Sequence, residues 1–250
     1  MRNHVQEFSD FTEDGYRRCL RVAKQTFEFQ RFGVDATAVG RHVLWRHDLD
    51  ASIHRARRLA EIESDEGVIG TYFVFPRSMF YNIFNLSVAK EVDRILSLGH
   101  DLGLHFDPTH YGEDAGEERF LEAMATEREM LRQEFGIVPV AVSFHLYGVL
   151  THPMPDDDIV AGMVNAYSRT LRNKYGYVSD SNGVWLYQRL IEVLSCPTED
   201  RLQVLTHPEW WTPEMMPPRA RLQRAIDGYA SAMGHWYDDI VARSGRPNLR

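Results

Sequence analysis

The segment VLWRHDLDAS, residues 43–52, passes from an apolar run directly into a cluster of charged side chains. His47, Asp48 and Asp50 stand where a buried strand would end, and a buried carboxylate costs free energy unless a cation or a donor pairs with it. A metal ion, a role as proton acceptor, or an ion pair with Arg46 would each compensate that cost. Because side chains alternate along a strand, Asp48 and Asp50 are expected to point to the same side.

Four further segments with strand character end in side chains that can bind a metal or transfer a proton: His105, His145, Asp180 and His207. One carboxylate with two imidazoles is a usual ligand set for a catalytic divalent metal, which acidifies a bound water molecule. A second carboxylate nearby can accept the proton of that water, and a further histidine can protonate the leaving group. Taken together, these residues predict metal-assisted hydrolysis of an amide or an ester.

Helical and strand patterns alternate along the chain. A helical lead-in is predicted at roughly 12–31, Ser52 is a typical N-cap, and the last helix is predicted at about 219–243. Glycines typical of helix ends occur at Gly67, Gly99 and Gly136. The predicted strands are HVLWRHD, VIGTYFVFP, HDLGLHF, VPVAVSFH, YGYVSD and LQVLTH, and the stretch 146–172 is predicted to be rich in loops. This alternation predicts an α/β fold with a parallel sheet or barrel, whose functional groups gather at the carboxyl ends of the strands.

The composition limits the class of protein. The 250 residues are 44% hydrophobic, which is enough for a sizeable core, and one domain is expected. A net charge of −8 without a block of basic residues argues against a nucleic-acid or membrane-surface binder. No segment is apolar enough for a membrane span and no export signal begins the chain, so a cytoplasmic location is expected. The two cysteines, Cys19 and Cys196, have no metal-binding or redox spacing.

Five segments resemble, in this order, the motifs of NodB-homology polysaccharide deacetylases: WRHDLDAS, LGHDLGLHFDPTH, VSFH, YVSDSNGVW and LTHPEWW. They are most similar to a branch with an RHD-x-D motif that is linked to surface-polysaccharide and O-antigen biosynthesis. The motifs occupy residues 40–212, between a helical lead-in at 1–40 and the last helix, and the resemblance implies a single domain over 1–250. It also implies a distorted (β/α) barrel with a zinc-like metal ion that removes N- or O-acetyl groups from sugars.

Applied to HDLD, the resemblance makes Asp48 the general base and Asp50 a metal ligand. The family has these two aspartates side by side, whereas Leu49 separates them here, and the opposite assignment stays open. The family's third motif also supplies an arginine that holds the base. VSFHLYG contains none, and Arg46 or Arg77 would have to replace it.

The family's second motif has two histidine ligands four residues apart. His105 matches the first of them, but the next histidine, His110, lies five residues further on. His145, at the end of the following strand, is the preferred third ligand because of its position, and His110 is the alternative. The preferred metal site is therefore Asp50, His105 and His145.

His207, in LTHPEWW, resembles the family's acid histidine, and Asp180, in SDSNGVW, resembles the carboxylate that orients it. A histidine held by an aspartate can keep the proton that a leaving amine requires. A turn residue before SNG is the alternative interpretation of Asp180. Trp185, Trp210 and Trp211 are predicted either to stack on sugar rings or to pack in the core.

The sequence thus predicts a metal-dependent hydrolase that removes an acetyl or similar acyl group from an amino sugar. In the cytoplasm its substrate would be a nucleotide- or lipid-linked sugar, a precursor of a surface polysaccharide. Zinc is the expected ion, and cobalt, nickel or iron would suit the same nitrogen and oxygen ligands. A deformylase or another C–N hydrolase could use the same site. The alternative from a different class is a catalytically degenerate barrel that binds glycans. No oligomeric state is predicted.

Overall fold

The computed structural model describes residues 8–33, 40–112, 114–151, 153–185 and 187–249. Residues 1–7 and 34–39 of the predicted N-terminal lead-in lie outside these ranges. The described helices are α1 (Glu13–Ala23), α2 (Ile53–Glu66), α3 (Leu86–Ser97), α4 (Glu117–Phe135), α5 (Arg169–Lys174), α6 (Leu190–Ser195) and α7 (Pro218–Arg243). The described strands are β1 (Glu28–Gln30), β2 (His42–Leu49), β3 (Thr71–Val74), β4 (Asp101–Phe106), β5 (Ala141–Phe144), β6 (Ile159–Val160), β7 (Met163–Asn165), β8 (Gly176–Ser179) and β9 (Arg201–Thr206).

All of these strands belong to one curled sheet. Its order is β6-β7-β5-β4-β3-β2-β9-β8, and β1 pairs with the first part of β2. Within the described ranges, β6 and β7 form the antiparallel pair and the other pairs are parallel. The protein is therefore a mixed α/β fold whose sheet forms an open half-barrel, which is compatible with the predicted distorted barrel.

Helix limits follow the signals in the sequence. The Ser52 side chain accepts a hydrogen bond from the backbone N–H of Arg55, and α2 ends at Gly67 with a φ of 69°. Gly136 ends α4 in the same left-handed conformation. The predicted last helix is confirmed as α7. Across the part of the chain that the structure describes, no helix is both long and apolar enough to span a bilayer.

Two stretches differ from the prediction. The helical lead-in ends at Ala23 and is followed by β1, which pairs in parallel with β2 and packs Phe29 on Trp45 at 5.4 Å between ring centroids. The predicted loop region also contains α5 and the β6–β7 hairpin. That hairpin turns at Ala161 and Gly162, whose φ angles are both positive, at 48° and 76°. Ala-Gly is not a typical sequence for such a turn, so the pattern gave no hairpin signal.

The central strand β2 divides its side chains between the two faces of the sheet. All eight of its residues are buried, as is typical of a parallel strand covered on both sides. Trp45 and Leu49 pack in hydrophobic clusters with residues of the helices. Arg46 contacts Tyr167, and Asp48 lines the interior cavity of the half-barrel. Arg46 and Asp48 therefore lie inside the half-barrel, and Trp45 and Leu49 lie beneath the helices.

A buried polar cluster joins α2 to the outer face of the sheet. Glu63 accepts hydrogen bonds from the hydroxyls of Tyr16 and Tyr72, and its Oε1 lies 2.7 Å from His47 Nε2. His47 Nδ1 in turn lies 2.7 Å from the Thr206 hydroxyl at the end of β9. Burial alone would raise the pKa of Glu63, but the charge and hydrogen bond of His47 lower it. The cluster therefore connects β2, which carries Asp48, to β9, which is followed by His207.

Candidate metal centre

The three preferred metal ligands lie together at the carboxyl ends of neighbouring strands. Asp50 follows β2, His105 is in β4 and His145 follows β5. These strands are close in the order β5-β4-β3-β2, and parallel strands bring their carboxyl ends to the same edge. One ligand atom of each residue lies within 4.8 Å of the other two.

The spacing of these atoms fits a divalent ion. Asp50 Oδ1 is 3.1 Å from His105 Nε2 and 3.7 Å from His145 Nδ1, and the two nitrogens are 3.2 Å apart. Ligands about 2.1 Å from a tetrahedral ion lie about 3.4 Å from one another. Asp50 Oδ1 is also buried without a hydrogen-bond partner among the described residues, and a cation would satisfy it. The three residues therefore form a candidate metal site.

His110, the alternative third ligand, is not part of this group. It is an exposed residue of the short 3₁₀ helix Pro108–Tyr111, and its ring packs edge-on against Tyr111 at 5.0 Å. Strand β4 ends at Phe106, and the chain turns at Asp107 into this 3₁₀ helix, so His110 no longer follows the direction of the strand. Position at a strand end therefore predicted the cluster better than spacing along the sequence.

Ser143 connects the cluster to Asp48. Its hydroxyl oxygen lies 2.7 Å from His105 Nδ1 and donates to Asp48 Oδ1 at 3.1 Å. Because the hydroxyl gives its one proton to Asp48, His105 must donate from Nδ1 and keeps the lone pair of Nε2 for a metal. Sequence reasoning missed Ser143. The available signal was its place two residues before His145, on the same side of the strand.

A buried arginine stands beside Asp48. Arg46 Nη2 lies 3.7 Å from Asp48 Oδ2 and donates to the Tyr167 hydroxyl at 2.7 Å, and its guanidinium stacks on the Tyr167 ring at 4.5 Å. Burial alone would lower the pKa of Arg46, but the charge of Asp48 raises it above its usual range. Arg77, the other arginine considered, instead pairs with Glu127 at 2.5 Å. Of the two, Arg46 is the one that contacts Asp48.

The surrounding charges favour the protonation states that bind a metal. Burial alone would raise the pKa of Asp50, but the neighbouring His105 and the positive charge of His207 hold it well below its ordinary range. Burial lowers the pKa of His145, against the opposing charge of Asp50. An ionised carboxylate and neutral imidazoles are the forms that coordinate divalent ions.

His207 and Asp180 form a tightly held pair on the other side of the cluster. His207 Nδ1 lies 2.7 Å from Asp180 Oδ1, and the same carboxylate accepts the His207 backbone N–H and the Trp211 indole N–H. His207 Nε2 faces the cluster, 3.9 Å from Asp50 Oδ2. Burial alone would lower the pKa of His207, but the hydrogen bond and charge of Asp180 raise it to about 10. The Asp180 side chain is therefore a hydrogen-bond partner of His207, which was the first of the two interpretations of this residue in the sequence.

Glu209 is a second buried acid near the cluster that the sequence did not single out. Burial and the negative charge of Asp50 raise its pKa to about 8, so the carboxyl is protonated at neutral pH. Its Oε2 has no hydrogen-bond partner within the described ranges. The 3₁₀ helix Pro208–Trp210 buries this side chain beside the strand end. A single acidic residue between a proline and a tryptophan has no periodicity that would have predicted its burial.

The structure does not place all three tryptophans at the cavity. Trp185 and Trp211 are buried, both pack on Phe11, and neither lines the cavity. The Trp185 indole N–H donates to Asp10, so this residue is anchored in the core. Only Trp210 of the three is a lining residue. Stacking on a sugar is therefore wrong for Trp185 and Trp211, because their rings are covered by the core.

The cluster opens into a cavity of about 630 Å³. Asp48, Asp50, His105, His145 and His207 all line it, which brings the predicted base, ligands and acid to one space. Its remaining wall is rich in aromatic residues: Tyr167, Tyr175, Tyr177, Tyr187 and Trp210. Tyrosines combine an apolar face with a polar hydroxyl, and the volume is that of a usual small-molecule site.

Comparison of the chain with protein-family models gives no match, and neither does comparison with curated proteins. What the protein does is therefore inferred from the side chains that this cavity brings together.

Proposed function

We propose that this protein is a metal-dependent hydrolase that removes an acetyl or similar acyl group from an amino sugar. The observation that carries the proposal is the grouping of a three-residue metal cluster, a second carboxylate and a histidine–aspartate pair around one cavity. Metal-assisted hydrolysis of an amide can use each of these parts. A barrel of the NodB-homology type belongs to the same proposal.

Asp50, His105 and His145 would hold the ion. Zinc is proposed because one carboxylate with two imidazoles is a common catalytic zinc set, and cobalt, nickel or iron would accept the same donors. When bound, such an ion polarises the acyl carbonyl and lowers the pKa of a water molecule beside it. Ser143 fixes the ring of His105 for this purpose, because it holds the opposite ring nitrogen.

Asp48 and His207 are proposed to move the protons. Asp48 Oδ2 lies 3.5 Å from Nδ1 of the ligand His105, and Asp48 lines the same cavity, so it would take the proton of the attacking water. His207 would give its Nε2 proton to the leaving nitrogen while Asp180 holds Nδ1. A pKa of about 10 keeps His207 protonated at neutral pH, as an acid in this step must be.

An amino sugar is supported by the tyrosines of the cavity wall, because their rings can cover the apolar face of a sugar while their hydroxyls bond to its oxygens. A nucleotide- or lipid-linked sugar, as a surface-polysaccharide precursor, remains the proposed substrate class. The alternative of a degenerate glycan-binding barrel predicts a broken ligand set. The closeness of Asp50, His105 and His145 counts against that alternative.

The test is acetate release by the zinc-loaded full chain from free, nucleotide-linked and lipid-linked N-acetylated amino sugars. Asp48→Asn is expected to keep the metal and to lose turnover by roughly 10²–10⁴-fold. His110→Ala is the matched control, because it changes an exposed histidine just after β4, the strand that carries His105. It is expected to keep both the metal and the turnover. Undiminished turnover in Asp48→Asn would contradict the proposed role. Loss of metal in Asp48→Asn and its retention in Asp50→Ala would instead exchange the roles of these two residues.

A further inference from the structure

The last helix leaves the body of the protein. α7 is held at its first turns, where Arg221 is buried and donates to the backbone carbonyl of Phe8. Every residue over 226–237 is exposed. The part of α7 from Ile226 to Arg243 is about five turns, or about 27 Å, of helix. This length of helix has little support from the rest of the described chain.

The exposed part of α7 nevertheless carries a continuous apolar stripe. We call it the α7 seam, and it consists of Leu222, Ile226, Tyr229, Met233, Trp236 and Ile240. Successive members are four, three, four, three and four residues apart, which is the spacing of a coiled-coil seam. Leu222 is partly buried, but Trp236 is 63% exposed and Met233 is 49% exposed. Single exposed apolar residues are ordinary, whereas a stripe of this length marks an interaction surface.

Such a helix is not expected to be stable alone. Most of the stability of a helix in a protein comes from packing of its apolar face, which this part of α7 lacks, and each interior glycine costs about 1 kcal/mol relative to alanine. α7 contains Gly228 and Gly234, and a side chain at either position would meet open space. The glycines therefore lie where nothing packs and weaken the helix without serving a contact. A partner along the α7 seam would supply the missing stability.

We propose that a second copy of this chain packs antiparallel along the α7 seam and makes the protein a homodimer. The spacings between successive seam residues read the same in both directions, so two antiparallel copies can align every seam residue with one of the partner. Each layer of the interface then contains two seam residues. Leu222 of one copy would meet Ile240 of the other, and the inner layers would be Ile226 with Trp236 and Tyr229 with Met233. The exposed apolar area of these side chains and Tyr237 is roughly 600 Å² per copy, near the ~800 Å² of a standard interface.

Charge favours the antiparallel direction. The first three turns of α7 carry three arginines, Arg219, Arg221 and Arg224, against Asp227, whereas its last turns carry Asp238 and Asp239 against Arg243. Arg224 also pairs with Glu214 at 2.6 Å and Asp239 with Arg243 at 2.9 Å, so the first end keeps a net positive charge and the last end a smaller net negative one. An antiparallel pair places the basic end of each helix beside the acidic end of the other. A parallel pair would place like charges together, which is unfavourable. The helix dipoles also oppose one another in the antiparallel pair. The proposal is independent of the proposed catalytic function.

The test is the mass of the full chain in solution by light scattering, over a range of concentrations. Wild type is expected at twice the monomer mass. Trp236→Asp is expected to raise the dimer dissociation constant at least about 100-fold, because it places a charge in two symmetry-related layers. His235→Asp is the matched control, since it adds the same charge one residue away on the outer side of the helix, and it is expected to stay dimeric. Trp236→Ala gives a milder second variant, expected to weaken the dimer in the same direction.

The proposal would be overturned if wild type were a monomer, or if Trp236→Asp and His235→Asp had equal dimer dissociation constants. The α7 seam would then not be the contact between two copies of this chain. Direction is tested with single cysteines in a Cys196→Ser background, where the remaining Cys19 is buried. Ala232→Cys lies near the expected two-fold axis and should form a disulfide-linked dimer. Ile240→Cys should not, because antiparallel copies would hold its two sulfurs about 27 Å apart. Linkage of Ile240→Cys alone would overturn the antiparallel arrangement.

Discussion

Replacing Ser143 with alanine tests whether one buried hydroxyl orients the metal cluster. The hydroxyl lies between His105 Nδ1 and Asp48 Oδ1, at 2.7 Å and 3.1 Å, and is itself fully buried. Its loss removes the closer polar partner of His105 Nδ1 and leaves Asp48 Oδ2, 3.5 Å away, as the remaining one. Loss of the outer partner of a metal-binding histidine typically weakens metal affinity by about 10–100-fold, or about 1.4–2.8 kcal/mol. The zinc dissociation constant is therefore expected to rise by about 10–100-fold.

The assay is competition for zinc against a chromophoric chelator, at constant pH, on the full chain. Ser179→Ala is the matched control, because Ser179 is also a buried serine at a strand end and also lines the cavity. Its hydroxyl bonds to Ser181 and does not contact the cluster. Ser179→Ala is expected to bind zinc as wild type does. Equal affinity of Ser143→Ala and wild type, or an equal loss in both variants, would refute the proposed orientation of His105.

Three further predictions concern stability and proton transfer. Glu63→Gln should lower the free energy of unfolding in urea by about 3–5 kcal/mol at pH 7. The folded protein lowers the pKa of Glu63 below 4.5, so the charge of Glu63 stabilises the fold above that pH. The gap in unfolding free energy between wild type and Glu63→Gln should therefore shrink as the pH falls below 4.5, and a constant gap would contradict this role of the charge. Asp180→Asn should lower the alkaline limit of activity, which is set by loss of the His207 proton, because the hydrogen bond and charge of Asp180 raise the pKa of His207. An unmoved limit would exclude His207 as the acid. Arg46→Met and Asp48→Asn should be non-additive in urea unfolding by about 1–3 kcal/mol, and strict additivity would show that the two side chains do not interact.

Most of the frame of the site could be predicted from the sequence. Apolar segments that end in polar residues identified the strands, and parallel pairing requires that their carboxyl ends meet. Alternation along β2 correctly placed Asp48 and Asp50 on one side, because both line the cavity. The position of His145 after β5 predicted its closeness to Asp50 and His105.

The parts that were missed depend on contacts between distant segments. Ser143 and Glu209 are single residues whose roles follow from the groups that fold against them, and neither has a pattern of its own. Tryptophans such as Trp185 and Trp211 are typical of sugar-binding surfaces, but here Phe11, which is far away in the sequence, packs on both rings. β1 is three residues long, which is too short for periodicity to identify.

Metal content of the purified full chain, by elemental mass spectrometry after reconstitution with zinc and removal of excess, tests the central claim most directly. The arrangement of Asp50, His105 and His145 predicts about one equivalent in wild type. The metal should be lost in Asp50→Ala and in His105→Ala, and retained in His110→Ala. A wild type that holds no metal, or metal retained at the wild-type level in both ligand variants, would contradict the existence of this site.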